Sequence, residues 1–467
     1  RELREASLAM GATKWQTVKY VVVPKARSGF LSAGLLGLGR VFGETMAVAM
    51  LVGNIYRFPS SIFDGWATIP SLLANNYGEM MSVPAYESAL MVSALVLLLL
   101  VLIFNIIGQR AIKKPDRQNG IKRNGNNIMT GGEEQKKADA IRNIFRCLLN
   151  GQGIKKIGKQ HEPDMGVISS KSKIPSKGSS PSPYYRITVK AEEYFFLVLM
   201  GISASVVIGG FIIITASVLY KGFSSTSLEM LTSPSGTGYL TSGKGGILNA
   251  IVGSLLMAGG STILAFFPSL GAALYLQPEF SNRKTAHLLR TILNILWGVP
   301  SIIYGVCCFI IMMWAGLGAS LIAGILALTL LQMPIMARGF DEVIRTVPTE
   351  LKDATYSLGL TSRHAAIGIV LKQIRAGILS SVLLAAGRAI GDAASILFTA
   401  GFSNSVPSSF TEPSAALPTM IYFLTTSPDP EVRQKAYAAA LVLFLIVFVI
   451  SAISRWAGRR FEKYALR

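Results

Sequence analysis

Eight stretches of the chain are apolar for about the 20 residues a helix needs to cross the hydrocarbon of a bilayer. They cover residues 29–53, 88–107, 194–220, 247–276, 291–313, 317–337, 376–401 and 436–454. The runs are continuous rather than alternating, which excludes barrel strands and predicts an all-α polytopic membrane protein with eight transmembrane helices. The polar segments between them are unequal. The longest, 109–193, is rich in Gly, Asn, Ser, Pro and Lys, a composition that predicts a largely disordered linker. Within it, residues 138–149 fit either a short amphipathic helix or a transient one without a partner.

The pattern also repeats. At an offset of 348 residues, Glu2-Leu3-Arg4-Glu5-Ala6-Ser7 with Gly11 recurs as Glu350-Leu351-Lys352-Asp353-Ala354-Thr355 with Gly359. Gly39-Arg40-Val41-Phe42-Gly43-Glu44 recurs as Gly387-Arg388-Ala389-Ile390-Gly391-Asp392, and Gly29, Gly53 and Pro70 find Gly377, Gly401 and Pro418. Two copies of one unit are implied. The chain therefore divides into a first half with two spans (1–108), the linker (109–193) and a second half with six spans (194–467). Arg1 falls inside a motif, so the chain reads as a piece of something longer, and the first half would lack four upstream spans.

Charge then orients the spans. A mean hydropathy of +0.47 fits a membrane protein. The net charge of +20 comes from Lys and Arg in the loops and does not argue for nucleic acid. The linker, the loop with Arg283, Lys284 and Arg290, and the tail with Arg455, Arg459 and Arg460 would all be cytoplasmic. Segments 54–87, 221–246 and 402–435, poor in basic residues, would lie outside. Cys147, Cys307 and Cys308 have no disulfide or metal spacing, and His161, His287 and His364 form no metal site. Gly238–Lys244 starts like a P-loop, but Gly245 stands where Ser or Thr must bind magnesium. Neither a catalytic triad nor a carboxylate dyad is present, so the chain reads as a non-enzyme without a cofactor.

Two constellations carry chemistry. In the first, Glu5-Ala6-Ser7 precedes Gly11 by three residues, and nine more lead to Val21-Val22-Val23-Pro24. Asp353-Ala354-Thr355, Gly359 and Ile369-Val370-Leu371-Lys372 repeat the spacing. The small Ala6 and Ala354 permit close helix packing, Gly11 and Gly359 permit a left-handed helix end, and Glu5 and Asp353 can cap or pair across an interface. In the second, Arg40 and Glu44, like Arg388 and Asp392, are four residues apart inside apolar runs. That spacing predicts a shared helix face. A charge at that depth should face a cavity or a partner, and arginine suits an oxyanion because its planar fork donates two parallel hydrogen bonds. The alternative is a self-neutralising ion pair. Gly37, Gly39 and Gly43 thin the helix surface and favour a site between the halves.

The first constellation resembles the EAA loop of ABC importer permeases, which docks on an ATPase subunit; Lys372 departs from it where the pattern has proline. Gly39 to Val48 resembles the PstC-type phosphate permease. Val299 to Gly305, Pro334 to Arg338, Val347-Pro348 and Gly387 to Asp392 resemble its PstA-type companion. Asp392, followed by Ala-Ala, departs from the Gly-Glu-Thr of that family. The resemblance implies a type I ABC importer permease fold and a PstC–PstA fusion lacking the start of PstC. It further implies a prokaryotic inner membrane location, a cytoplasmic ATPase dimer of the PstB type and an extracytoplasmic phosphate-binding protein of the PstS type. Arg40, Glu44, Arg388 and Asp392 would line the substrate path. Glu5, Ala6, Gly11, Asp353, Ala354 and Gly359 would couple it to the ATPase. Another oxyanion such as sulfate or molybdate, an ion-coupled secondary transporter, and a phosphate-signalling regulator are the competing readings.

Overall fold

The apolar runs become helices, but three of them do not become single ones. The computed structural model describes residues 2–80, 83–113, 183–236, 245–357, 359, 361, 364 and 366–462. The P-loop-like segment 238–244, Cys147, His161 and residues 138–149 lie outside them. The first half comprises α1 (Glu2–Ala9), α2 (Val23–Val41), α3 (Met46–Leu51), α4 (Ile69–Met80) and α5 (Pro84–Lys113). The second comprises α6 (Pro183–Ser225), α7 (Leu248–Tyr275), α8 (Arg283–Trp297), α9 (Ser301–Trp314), α10 (Leu321–Ile344), α11 (Thr349–Ser357), α12 (Arg375–Ile390), α13 (Leu417–Thr426) and α14 (Pro430–Glu462). Residues 1–114 with 198–467 form one compact unit; 115–197 belong to another, of which only the start of α6 is described. Both ends of the polar segment 109–193 are helical, as parts of α5 and α6.

Among the described residues, five helices are long and apolar enough to cross a membrane: those over 85–109, 190–225, 248–275, 321–344 and 430–458. The run 291–313 is instead α8 and α9, bent by 101° at Gly298-Val299-Pro300. Pro300 removes a backbone donor and drives Val299 out of helical geometry, which explains the elbow. The runs 29–53 and 376–401 are not single spans either. α2 stops at Val41 and α12 at Ile390, each just past its arginine. An apolar run is evidence of burial, not of an unbroken helix; these three break at Gly43, Gly391 and Gly298-Val299-Pro300, whereas Pro268 in α7 and Pro334 in α10 are carried inside continuous helices.

The repeat is repeated in three dimensions. Gly11 (φ +83°) and Gly359 (φ +78°) turn the chain identically, and so do Gly53 (φ +84°) and Gly401 (φ +72°); all four use backbone space that suits glycine. Thr13 caps a helical turn by accepting the Gln16 amide at 3.2 Å, and Thr361 accepts the His364 amide at 3.4 Å. The Trp66 amide donates to Val52 and the Ser414 amide to Ala400, both at 2.9 Å. α2 packs on α5 as α12 packs on α14. Even the loops agree: Asp64 accepts from the amide and hydroxyl of Ser60, and Glu412 from those of Ser408.

The halves share a core. Leu73, Leu90, Leu97 and Val101 of α4 and α5 pack with Ile302, Val306 and Phe309 of α9 and with Phe398, all buried. The Tyr422 hydroxyl donates to Asn75 Oδ1 at 2.6 Å, joining α13 to α4. This interface sets the distance between the two broken helices.

Candidate functional site

The three helix breaks meet. Arg40, Gly43, Glu44 and Thr45 from the first, Trp297 to Ser301 from the second, and Gly387, Arg388, Gly391 and Asp392 from the third line one cavity of about 520 Å³. Leu443, Phe444 and Val447 of α14 supply an apolar wall. A Cβ built on Gly43 would stand 2.5 Å from Pro300 Cγ. Only glycine therefore lets the break of one half rest on the elbow of the other. Gly39 faces Phe104 and Asn105, whereas nothing lies within 4 Å of a Cβ on Gly37. Of the three glycines expected to thin α2, two make close approaches.

All four expected path residues line this cavity, but not in the expected way. The spacing of four implied a shared helix face for each arginine and carboxylate. The helices end between them, because Gly43 and Gly391 close the last turns by donating to the carbonyls of Arg40 and Arg388 at 3.1 and 3.2 Å. Each arginine thus sits in the last helical turn, where the free carbonyls favour a cation. Each carboxylate lies in the turn beyond. Arg388 is within electrostatic reach of Arg40, Asp392, Tyr304 and Glu44, so the arginines of the two repeats share one field.

The two carboxylates differ. Asp392 Oδ2 accepts the Ser395 amide at 3.0 Å and also the Ser395 hydroxyl, capping the turns that follow. The first repeat has Ala47 at the position of Ser395. Among the described residues Glu44 has no such donor, and it is exposed to the cavity. One acid shapes the wall; the other is available to a ligand. The serine-for-alanine exchange at the repeat offset was visible in the sequence and carried this distinction.

The expected coupling loops are built as helix, left-handed glycine, helix. α1 leads to Gly11 and a turn over Lys14–Thr17; the buried Ser7 and Thr17 hydroxyls bond at 2.6 Å. Close packing comes from that pair rather than from Ala6, which is half-buried, or Ala354, which is exposed. α11 leads to Gly359 in the second copy. Glu5 and Asp353 are both exposed. His364 is exposed too and bonds Thr361 Oγ1 at 2.8 Å.

Residues 1–114 and 268–463 match the family described as binding-protein-dependent transport system inner membrane component. The phosphate transport system permease protein PstA 2 of Mycobacterium bovis is 33% identical over 222 residues, which is 46% of this chain and 73% of the relative. PstA of Haemophilus influenzae is 31% identical over 260 residues, 55% of this chain and 91% of the relative. The probable ABC transporter permease YqgI of Bacillus subtilis is 28% identical over 297 residues, 60% and 97% of the two chains. A solved structure of the inward-facing MetNI methionine ABC transporter overlaps at a TM-score of 0.37 with 18% identity, covering 47% of this chain and 96% of that one; so low a score supports no argument.

Proposed function

The chain belongs to the binding-protein-dependent transport system inner membrane family of ABC importer permeases, and from that premise we propose that it is the permease for inorganic phosphate. In this reading residues 1–108 and 194–467 act as PstC-like and PstA-like halves of one fused translocator. The observation that carries the reading is the cavity at the three breaks, with one arginine from each repeat. The relatives named as phosphate permeases support the substrate.

Arg40 and Arg388 would hold the oxyanion between the halves, each donating from its guanidinium fork. A cavity of about 520 Å³ is large beside the roughly 30 Å³ that a water occupies in the liquid, so the anion enters with part of its hydration shell. Glu44 would accept a hydrogen bond from a protonated phosphate, which sulfate cannot donate. Asp392, with one oxygen taken by Ser395, would hold the wall in shape.

The cargo moves by alternating access. A separate ATPase dimer of the PstB type hydrolyses ATP, and this chain does not. The loops at Glu5–Gly11 and Asp353–Gly359 transmit its closure, through the interface of α4, α5 and α9, to the breaks. A PstS-type protein delivers phosphate from outside, and the linker and C-terminus face the cytoplasm. The test is radiolabelled phosphate uptake by the full chain with these partners. Uptake should depend on ATP, collapse in Arg388→Ala and resist sulfate. Glu44→Gln should narrow the preference for phosphate over sulfate. Persistent uptake in Arg388→Ala would refute the assignment of the path.

A further inference from the structure

A second cavity of about 350 Å³ lies one helical turn along α8 from the first. Asn294 lines it, where Trp297 and Gly298 line the first. On α5, Asn105 packs against Gly298, and Gln109, four residues on, lines the second cavity. Both amides are unusual. Asn105 is 1% exposed, and neither atom of its amide has a hydrogen-bond partner; Gln109 Nε2 is also buried without one. Buried polar atoms left unpaired among the described residues are rare and costly in a folded protein, and a ligand would complete their bonding.

Arg290, Arg338 and Arg345 line this cavity with Asp341 and Glu342, so guanidinium groups outnumber carboxylates there by one. Asp341 accepts from Arg290 Nε and Nη2, each at 3.2 Å, and from Gln277 Nε2 at 3.1 Å, and pairs with Arg345 at 3.1 Å, so two arginines are already matched to it. Arg338 is different. Its guanidinium lies over the Trp297 ring at 4.4 Å, and among the described residues it meets no carboxylate within ion-pair distance. Trp297 thus lines the first cavity and also carries Arg338, which lines the second. A face-stacked guanidinium keeps its N–H edge free for an anion.

We propose that the second cavity is a second oxyanion station, held by Arg338 and the Gln109 amide. Phosphate reaches it past Asn105 and Trp297 on the way to the cytoplasm. The proposal rests on the phosphate reading above and places the exit route on the side of the α5 C-terminus, where the linker begins.

Equilibrium binding of radiolabelled phosphate to the full chain in neutral-lipid nanodiscs tests it. The wild type should bind two phosphates. Arg388→Ala should lose one, and Arg338→Gln combined with Gln109→Leu should lose the other while keeping the Arg388-dependent one, which also shows that the variant is folded. Gln109→Leu alone should weaken the second site about tenfold, as loss of a bond to a charged ligand implies. A single wild-type site, abolished by Arg388→Ala and untouched by the double variant, overturns the station and leaves the permease reading intact. No binding in the wild type overturns both. The headgroup of an anionic phospholipid shares this chemistry. Co-purifying anionic lipid that the double variant releases, with no second phosphate bound, would overturn the station in favour of a lipid site.

Discussion

Gly43→Ala is the substitution that the geometry condemns most directly. Its Cβ would lie 2.5, 2.8 and 3.1 Å from Pro300 Cγ, Cβ and Cα. Carbon atoms rest at about 3.5–4.0 Å, so the three contacts need roughly 1 Å of separation. A proline ring cannot rotate away, so the backbone of one break must move. Overpacking of this kind costs about 1–3 kcal/mol. The same movement displaces Arg40 relative to Arg388, so uptake should fall more steeply than stability. Gly37→Ala supplies the control. It lies in α2, two turns before the break, with nothing within 4 Å of the new Cβ, and alanine in a helix gains up to about 1 kcal/mol over glycine. Thermal unfolding of the purified full chain should therefore separate the two, with Gly43→Ala lower than wild type and Gly37→Ala equal or higher. Phosphate uptake should follow the same order. If Gly43→Ala matches Gly37→Ala in both assays, the two halves do not touch at their breaks and the cavity as described is wrong.

Other tests are shorter. Gly359 has φ +78° and open space around its Cβ, so Gly359→Val carries only a backbone cost, about 1–2 kcal/mol. It should raise the ATP hydrolysed per phosphate imported, while Gly359→Asn, which tolerates that backbone, should not; equal ratios would remove the loop from coupling. Asp392→Asn keeps an acceptor for Ser395 and should leave uptake near wild type, whereas Asp392→Ala frees the turns beyond it and should lower uptake at least tenfold; equal rates in both would refute its capping role. The Ser60 and Ser408 hydrogen bonds hold the carboxyls of Asp64 and Glu412 below their ordinary values. Depressed values mean that these loops gain stability above the ordinary carboxylate range near pH 4 and lose it as pH falls through the depressed values. Hydrogen exchange over 55–66 and 403–414 should stay protected down to about pH 4 and rise below it, and loosening that begins above pH 5 would contradict the assignment.

Much of this was readable from the sequence because the repeat fixes two structures with one pattern. The offset of 348 located both positive-φ glycines of the loops, both arginines and both carboxylates before any coordinates. Five of the eight expected spans fall on single long helices. The other three did not, for one reason: hydropathy measures the environment of a residue and says nothing about whether the backbone stays helical through it. Gly43, Gly391 and Gly298-Val299-Pro300 held the missing information, since non-helical backbone at membrane depth is tolerated only where it faces a cavity or buried protein. The second cavity was not legible, because Arg338 and Gln109 belong to helices 229 residues apart in the chain and nothing in their spacing joins them.

The breaks also explain how two arginines can lie where two apolar runs should be. An arginine at the centre of a membrane-spanning helix costs about 2.5–3.5 kcal/mol by insertion measurements. Ending the helix beside it recovers about 0.3–1 kcal/mol, and up to about 2 kcal/mol in a partly buried geometry. That leaves a deficit for each guanidinium, and Arg40 and Arg388 also repel each other across one cavity. Asp392 offsets part of this at Arg388, although one of its oxygens is committed to Ser395, and Glu44 adds to it. In the proposed path, water in the cavity would supply the rest, and a passing oxyanion would replace it with something better matched to two positive forks. An empty site held slightly unfavourable in this way would bind an anion strongly enough to admit it and weakly enough to release it. Glu44 sets that balance. Glu44→Gln should therefore tighten sulfate more than phosphate at equilibrium, because both anions escape its repulsion and only phosphate loses a charge-assisted hydrogen bond, a difference that loss of a merely structural carboxylate would not produce.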